Sequence, residues 1–249
     1  MESHKLLVFD IWGEYGHFRK FNTTSSPLTY SIPTRSALAG ILGAILGIER
    51  EIATGVFPDG VIPVNEVFSP DSASIAIQVL NPIKKVNIGF NLLNTKSASS
   101  FFNIQNRTQI EFELLKHPKF RIFFDHTDET VFKELSKRIH SVSHHFTPYL
   151  GLSQFTASIE WIEEVDATFV SQNDDFAQIC TAVNLSNLIT DNPIRFAKGF
   201  YSTDTFPMVM QRDRVVTKYA EILIEKTGEP IWVKTHHYFK TTFGNILFL

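Results

Sequence analysis

Residues 18–50, FRKFNTTSSPLTYSIPTRSALAGILGAILGIER, constrain the fold more than any other stretch of the chain. A polar loop ends in Ser31-Ile32-Pro33-Thr34-Arg35-Ser36, and an apolar helix is predicted to follow at once, over about residues 33–47. Proline near a first helical position loses no hydrogen bond, and Ser31 or Thr34 can cap the exposed amides. Leu38, Ile41, Leu42 and Ile45 repeat at i, i+3, i+4 and i+7, the spacing of one buried face. Gly40, Gly43 and Gly47 each cost roughly 1 kcal/mol against alanine, so a close backbone neighbour is expected to account for them. The helix opening is a partial positive charge with unpaired N–H groups, and Arg35 stands beside it. This reading puts the Arg35 guanidinium at the open end, ready to grip a phosphate through two parallel hydrogen bonds.

The remaining composition narrows the class. The apolar run of 12 residues, 37–48, falls well short of the ~20 needed to cross a bilayer. The N-terminal MESHKLLVFD lacks the apolar core and cleavage site of a signal peptide, and a single cysteine, Cys180, fits a reducing compartment. A cytoplasmic location is expected. Hydrophobic residues make up 43% of 249, with 23 phenylalanines, ample for a large core. A net charge of −3 does not favour a protein that holds nucleic acid unaided. The charge is uneven, however. Residues 84–138 carry ten Lys or Arg against six Asp or Glu, and residues 149–176 carry six acids with no Lys or Arg. A polyanion would meet the first region and avoid the second.

Strands are predicted over residues 5–12, 73–80, 108–115, 119–125 and 155–164, and a second helix over 128–142 opens on an Asp cap and closes on Lys137, Arg138 and His140. Lys116-His117-Pro118 reads as the turn of a hairpin between the third and fourth of these strands, and Thr227-Gly228-Glu229-Pro230 as the turn of another. The expected fold is the α+β, ferredoxin-like arrangement β-α-β-β-α-β shared with RNA-recognition domains, with one strand beyond its four. It occupies residues 1–176, with an insertion at 84–107 too long for an ordinary turn. Residues 177–249 are read as a β-rich C-terminal extension.

Catalytic signatures are sparse. Walker, Gly-x-Ser-x-Gly and His-Glu-x-x-His patterns are absent, and the pairs His144-His145 and His236-His237 lack metal-ligand spacing. No cofactor or metal is expected.

Trp12-Gly13, PTRSALAGILGAILG, Arg107-Thr108-Gln109-Ile110-Glu111-Phe112 and Tyr149-Leu150-Gly151-Leu152-Ser153 occur together and in order. On these motifs the chain resembles the Cas five subunit of type I CRISPR surveillance complexes (Cascade), nearest to subtype I-B. The resemblance implies a non-catalytic subunit that caps the 5′ handle of crRNA. Its partners would be the repeated backbone subunit and the large PAM-reading subunit, with target DNA reached through the complex and no membrane contact. Arg19, Lys20, Asn22, Thr24, Ser26 and Tyr30 would line the loop side of the RNA. Thr34, Arg35 and Ser36 would present the helix end, and Gly151 and Ser153 would close the far side. Lys84, Lys85 and Arg107 would lead into a projecting thumb, the insertion at 84–107. The alternative is a metal-independent endoribonuclease processing precursor crRNA, with Lys116 and His117 beside Tyr30, because relatives of subtype I-C use a tyrosine, a lysine and a histidine.

Overall fold

The first strand is an apolar run because both of its faces are covered. In the computed structural model, which describes residues 3–20, 27–93, 107–171, 175–189 and 191–249, Leu7, Phe9 and Ile11 point into one core, and Leu6 and Val8 into another. The elements follow in chain order as β1 (Ser3–Trp12), β2 (Tyr15–Gly16), α1 (Arg35–Leu46), α2 (Val64–Val67), β3 (Ala73–Val79), β4 (Lys85–Leu93), β5 (Arg107–Lys116), β6 (Lys119–His126) and α3 (Glu129–His140). Then come β7 (Ser158–Ser171), β8 (Ala177–Ile179), β9 (Val183–Asn184), β10 (Ile194–Arg195), β11 (Tyr201–Met210), β12 (Val216–Glu225), β13 (Ile231–Val233), β14 (His237–Thr241) and β15 (Gly244–Ile246).

Among the described residues the strands form a nine-stranded sheet, β10-β13-β8-β15-β14-β7-β1-β6-β3, and two three-stranded sheets, β11-β12-β9 and β2-β5-β4. Within the large sheet, β7-β1-β6-β3 is antiparallel throughout, and α1 and α3 lie on one of its faces. The chain order of these parts is β1-α1-β3-β6-α3-β7. Phe206, Ile222 and Ile224 of the β11-β12-β9 sheet join the same core as Leu38, Leu42 and Ile45 of α1. The opposite face is covered by Phe239 and Ile246 of the C-terminal strands, which extend the large sheet through β14 on β7. On that face Asp10 is only 2% exposed, and the cross-strand Arg121 grips its carboxylate at 2.8 and 3.1 Å.

Helix α1 buries the four predicted apolar positions, and Gly47 ends it in a left-handed conformation at φ 83°. Its glycines have separate causes. A Cβ at Gly43 would stand 2.3 Å from Cγ1 of Val64 on α2, a side chain rather than the backbone neighbour expected. A Cβ at Gly40 would meet nothing within 4 Å. Gly40→Ala is therefore expected to raise stability by up to about 1 kcal/mol, or ~2–4 °C in melting temperature. A variant that melts below the parent would contradict this.

Two predicted hairpins are corrected. Strand β5 pairs with β4 and β2, whereas β6 pairs with β1 and β3, so Lys116-His117-Pro118 is a corner between sheets. His117 adopts φ 49° there and donates its N–H to the Glu14 carbonyl at 2.8 Å, which ties the corner to β2 rather than to a hairpin partner. Likewise β12 and β13 belong to different sheets. Between them Gly228, at φ 92°, passes so close to Val79 that a Cβ would lie 2.6 Å from its carbonyl oxygen. Residues 84–107, read as an insertion, overlap the start of a longer structural unit that runs on to Lys116. Its described part is a ribbon of β4 and β5 in register from Lys85↔Leu115 to Leu93↔Arg107, and residues 94–106 lie outside the described residues. Val86, Ile88 and Phe90 face Leu114, Phe112 and Ile110 across the ribbon, so one face is apolar and the other carries Lys85, Glu113 and Arg107.

Candidate nucleic-acid interface

Three elements meet at the base of the ribbon. The first is a hairpin-like pair of segments, in which Lys20 donates its N–H to the Leu28 carbonyl and Tyr30 to that of Phe18, both at 2.8 Å. The second is the ribbon itself. Glu113 on β5 joins the two: its N–H donates to the Pro27 carbonyl at 3.0 Å, and its carboxylate accepts the Thr29 N–H at 3.0 Å. Lys85 completes the clamp, donating to the Thr29 carbonyl at 2.7 Å and to the Glu113 carboxylate at 2.9 Å. Beneath them His17 is buried. Its Nδ1–H donates to the Glu113 carbonyl at 2.8 Å, and desolvation lowers its pKa, so the ring is neutral near pH 7.

The third element is the loop that carries Tyr149-Leu150-Gly151-Leu152-Ser153. The His17 N–H donates to the Leu150 carbonyl at 2.9 Å. Gly151 has φ 89°, and a Cβ there would stand 1.9 Å from the His17 carbonyl oxygen. Gly13 meets the same loop, since its Cβ would be 2.9 Å from Cδ1 of Leu150. The Trp12-Gly13 and Leu-Gly-Leu-Ser motifs thus meet, with Gly13 making room for the Leu150 side chain. Phe155 closes it against Tyr15 and Phe90, with ring centroids 6.0 and 6.5 Å away.

The predicted site residues divide into four groups. Arg19, Lys84, Arg107, Gly151 and Ser153 are exposed, and Arg107 shares the Lys85 face of the ribbon about 26 Å further along at ~3.3 Å per residue. Lys85 and Lys20 are engaged within the protein, Lys20 with Asp204 and over the Tyr30 ring at 5.3 Å. Asn22, Thr24 and Ser26 lie outside the described residues.

The remaining predictions are corrected. Tyr30 is turned inward: its ring packs on Phe206 at 4.9 Å and its hydroxyl donates to the Thr205 carbonyl at 2.9 Å. It offers neither a stacking face nor a catalytic hydroxyl beside His117. The end of α1 is closed, not open. Thr34 is buried and caps the Ala37 N–H at 3.2 Å, with its hydroxyl on that of the half-buried Ser36 at 3.0 Å. Arg35 is 2% exposed, and its Nη2 donates to the carbonyls of Phe68 at 3.3 Å, Ser69 at 3.0 Å and Ala73. Burial pulls its pKa down to about 10. The guanidinium ties the helix start to the entrance of β3, because residues 68–73 fold over that end and turn the carbonyls of Phe68, Ser69 and Ala73 towards it. Sequence reasoning also passed over Tyr15, directly opposite Lys116 in the β2–β5 pairing, and the exposed rings of Phe196 and Phe200. The only sequence signal for those rings is their alternation with Arg195 and Lys198.

The sequence profile described as CRISPR-associated protein (Cas_Cas5) matches residues 6–221, from β1 into β12. The chain belongs to this Cas5 family. A solved structure titled "CRISPR RNA-guided surveillance complex" contains a chain with a TM-score of 0.54 at 11% identity, over 92% of this chain and 90% of that one. A CRISPR protein from Archaeoglobus fulgidus superposes with a TM-score of 0.56 at 12% identity, over 97% of both chains. These likenesses show that the mixed α+β fold, mostly sheet, is shared. No curated protein matches the chain in sequence. Among the described residues of this Cas5 chain, no group of His, Cys, Asp or Glu is placed to hold a metal ion, and no helix is long and apolar enough to cross a membrane.

Proposed function

We propose that this Cas5 chain is a non-catalytic subunit of a cytoplasmic type I surveillance complex, nearest to subtype I-B, and that it holds the 5′ handle of crRNA. The observation that carries the reading is the junction at Glu113, where the hairpin, the ribbon base and the glycine loop converge beside the cations Arg19, Lys84 and Lys85. On this reading the β7-β1-β6-β3 sheet with its two helices is a ferredoxin-like core, and the ribbon is the thumb. Single-stranded RNA would pass over the junction and along the ribbon face carrying Arg107, held by phosphate contacts and splayed bases. The apolar ribbon face would meet the backbone subunit. The acidic stretch around residues 160–166 would face the large PAM-reading subunit, away from RNA and target DNA.

With a net charge of −3, the isolated chain is expected to bind handle RNA weakly and to gain affinity within the complex. Arg19→Ala and Lys84→Ala should each weaken binding and lower the log–log salt slope by about 0.7 per lost single-strand phosphate contact. Unchanged affinity and slope in both variants would place the RNA elsewhere.

A second reading has one observation in its favour. Tyr15 lies opposite Lys116, and the N–H of His117 is bonded to Glu14, so a tyrosine, a lysine and a histidine share one corner. If that corner cleaves precursor RNA without metal, His117→Ala will accumulate unprocessed precursor. The non-catalytic reading expects the amount and length of mature crRNA to be unchanged.

A further inference from the structure

Phe196 and Phe200 are 64% and 71% exposed, in the sequence Arg195-Phe196-Ala197-Lys198-Gly199-Phe200 between β10 and β11. Exposed phenylalanines on a slack loop would mean little, but this loop is fixed. The Phe200 N–H donates to the carboxylate of Glu225 at 2.9 Å, and its carbonyl accepts the Lys226 N–H at 2.8 Å. Glu225 is 4% exposed and also accepts the N–H groups of Thr227 and Glu229, each at 2.8 Å. Gly199 lets the backbone lie against this carboxylate, since a Cβ there would be 3.1 Å from its oxygen. The Phe196 ring is set edge-on to Tyr201 at 5.2 Å. A buried acid therefore anchors the backbone at Phe200, Tyr201 packs against the Phe196 ring, and both phenylalanine rings stand in water.

The position of the loop indicates what the rings meet. The Lys226 carbonyl, one residue from the Phe200 anchor, accepts the N–H of Ile83 at 2.7 Å. Ile83 leads directly into Lys84 and Lys85 at the ribbon base. Two backbone hydrogen bonds thus join the ring-bearing loop to the cations of the candidate interface. Further cations accompany the rings: Lys198 between them, and Arg195 with its guanidinium over Phe176 at 4.4 Å and Trp232 at 5.6 Å. Rings interleaved with cations beside a basic tract are the chemistry that holds unpaired bases without reading their sequence. Lysine is depleted from the core of protein contacts, so Lys198 between the rings favours a polyanion.

We propose that residues 195–200 are a base-stacking platform for single-stranded RNA leaving the ribbon base. This rests on the RNA reading above and adds to it a second, aromatic mode of contact on the C-terminal strands. Bases flanking the handle would stack on Phe196 and Phe200, while Lys198 and Lys226 meet the intervening phosphates.

The test uses the full chain and a single-stranded CRISPR-repeat RNA carrying 2-aminopurine at one position at a time. Stacking is expected to quench fluorescence at one or two positions on binding. Phe196→Ala and Phe200→Ala should each weaken binding about tenfold without altering the salt slope, and Phe200→Trp should restore it. Both alanine variants should melt like the parent, because the rings are exposed. If both bind RNA like the parent while Lys84→Ala weakens it, the platform is wrong and the RNA reading stands. If both keep RNA affinity but lose a co-purifying protein subunit, the loop is a protein contact and the platform is again overturned. A parent chain that binds no RNA at low salt overturns both readings. Should an alanine variant fail to fold, absence of quenching at every position in the parent is itself contrary to the platform.

Discussion

Arg35→Ala is expected to destabilise the fold by roughly 2–4 kcal/mol, because truncation leaves a cavity and takes the guanidinium from the carbonyls of Phe68, Ser69 and Ala73, of which Ser69 keeps the N–H groups of Ser72 and Ala73. The lowered pKa of about 10 shows that burial already works against the cation, so the loss falls short of the full sum of three charge-assisted bonds. For a chain of this length, each kcal/mol corresponds to ~2–4 °C, so the melting temperature should fall by about 5–15 °C. Arg35→Met separates the causes. It fills much of the volume but donates nothing, and should remain almost as unstable as the alanine variant if the carbonyls dominate. Below its melting temperature, Arg35→Ala should hold RNA like the parent. A variant that melts normally but loses RNA affinity would restore the phosphate-gripping role that the sequence alone suggests.

Gly151→Ala should be comparably severe. The new methyl group would stand 1.9 Å from the His17 carbonyl oxygen, with a backbone φ of 89° that L-residues avoid. Left-handed geometry costs about 1–2 kcal/mol and forced overpacking typically another 1–3. Neither atom has a soft escape, because His17 is fixed by Leu150 on one side and by Glu113 on the other. The loop is therefore expected to lift from the hairpin, breaking the 2.9 Å bond from the His17 N–H to Leu150. Hydrogen exchange at that amide, together with a thermal melt, reads this directly. Slow exchange and an unchanged melt in Gly151→Ala would mean that the contact is looser than described.

These two residues illustrate what the sequence could carry. Leu38, Ile41, Leu42 and Ile45 declared the buried face of α1 because helical periodicity is a local property, and all four are buried. The Asp128 cap and the basic end of α3 were legible for the same reason. Turn chemistry at Lys116-His117-Pro118 and at Gly228 was visible too, but turn residues do not say which strand follows beside which. Both turns carry the chain between sheets, a choice made by contacts with Glu14 and Val79 far away in sequence. Arg35 failed similarly. A cation at a helix start favours anions only while that end is open, and its closure by residues 68–73 is a tertiary event. The ribbon–hairpin clamp at Glu113 was invisible because an acid in a basic region reads as a charge to be avoided, not as the tie that orients Lys85.

The central claim is that RNA crosses the junction of hairpin, ribbon base and glycine loop. Crosslinking within the assembled complex tests it most directly, using crRNA with 4-thiouridine placed singly through the 5′ handle and mass spectrometry of the linked peptides. The account expects adducts in the segments flanking Arg19, around Lys84 and Lys85, and in the loop at residues 151–153. Adducts confined to the acidic face around residues 160–166, or none on this chain while other subunits are labelled, would contradict it.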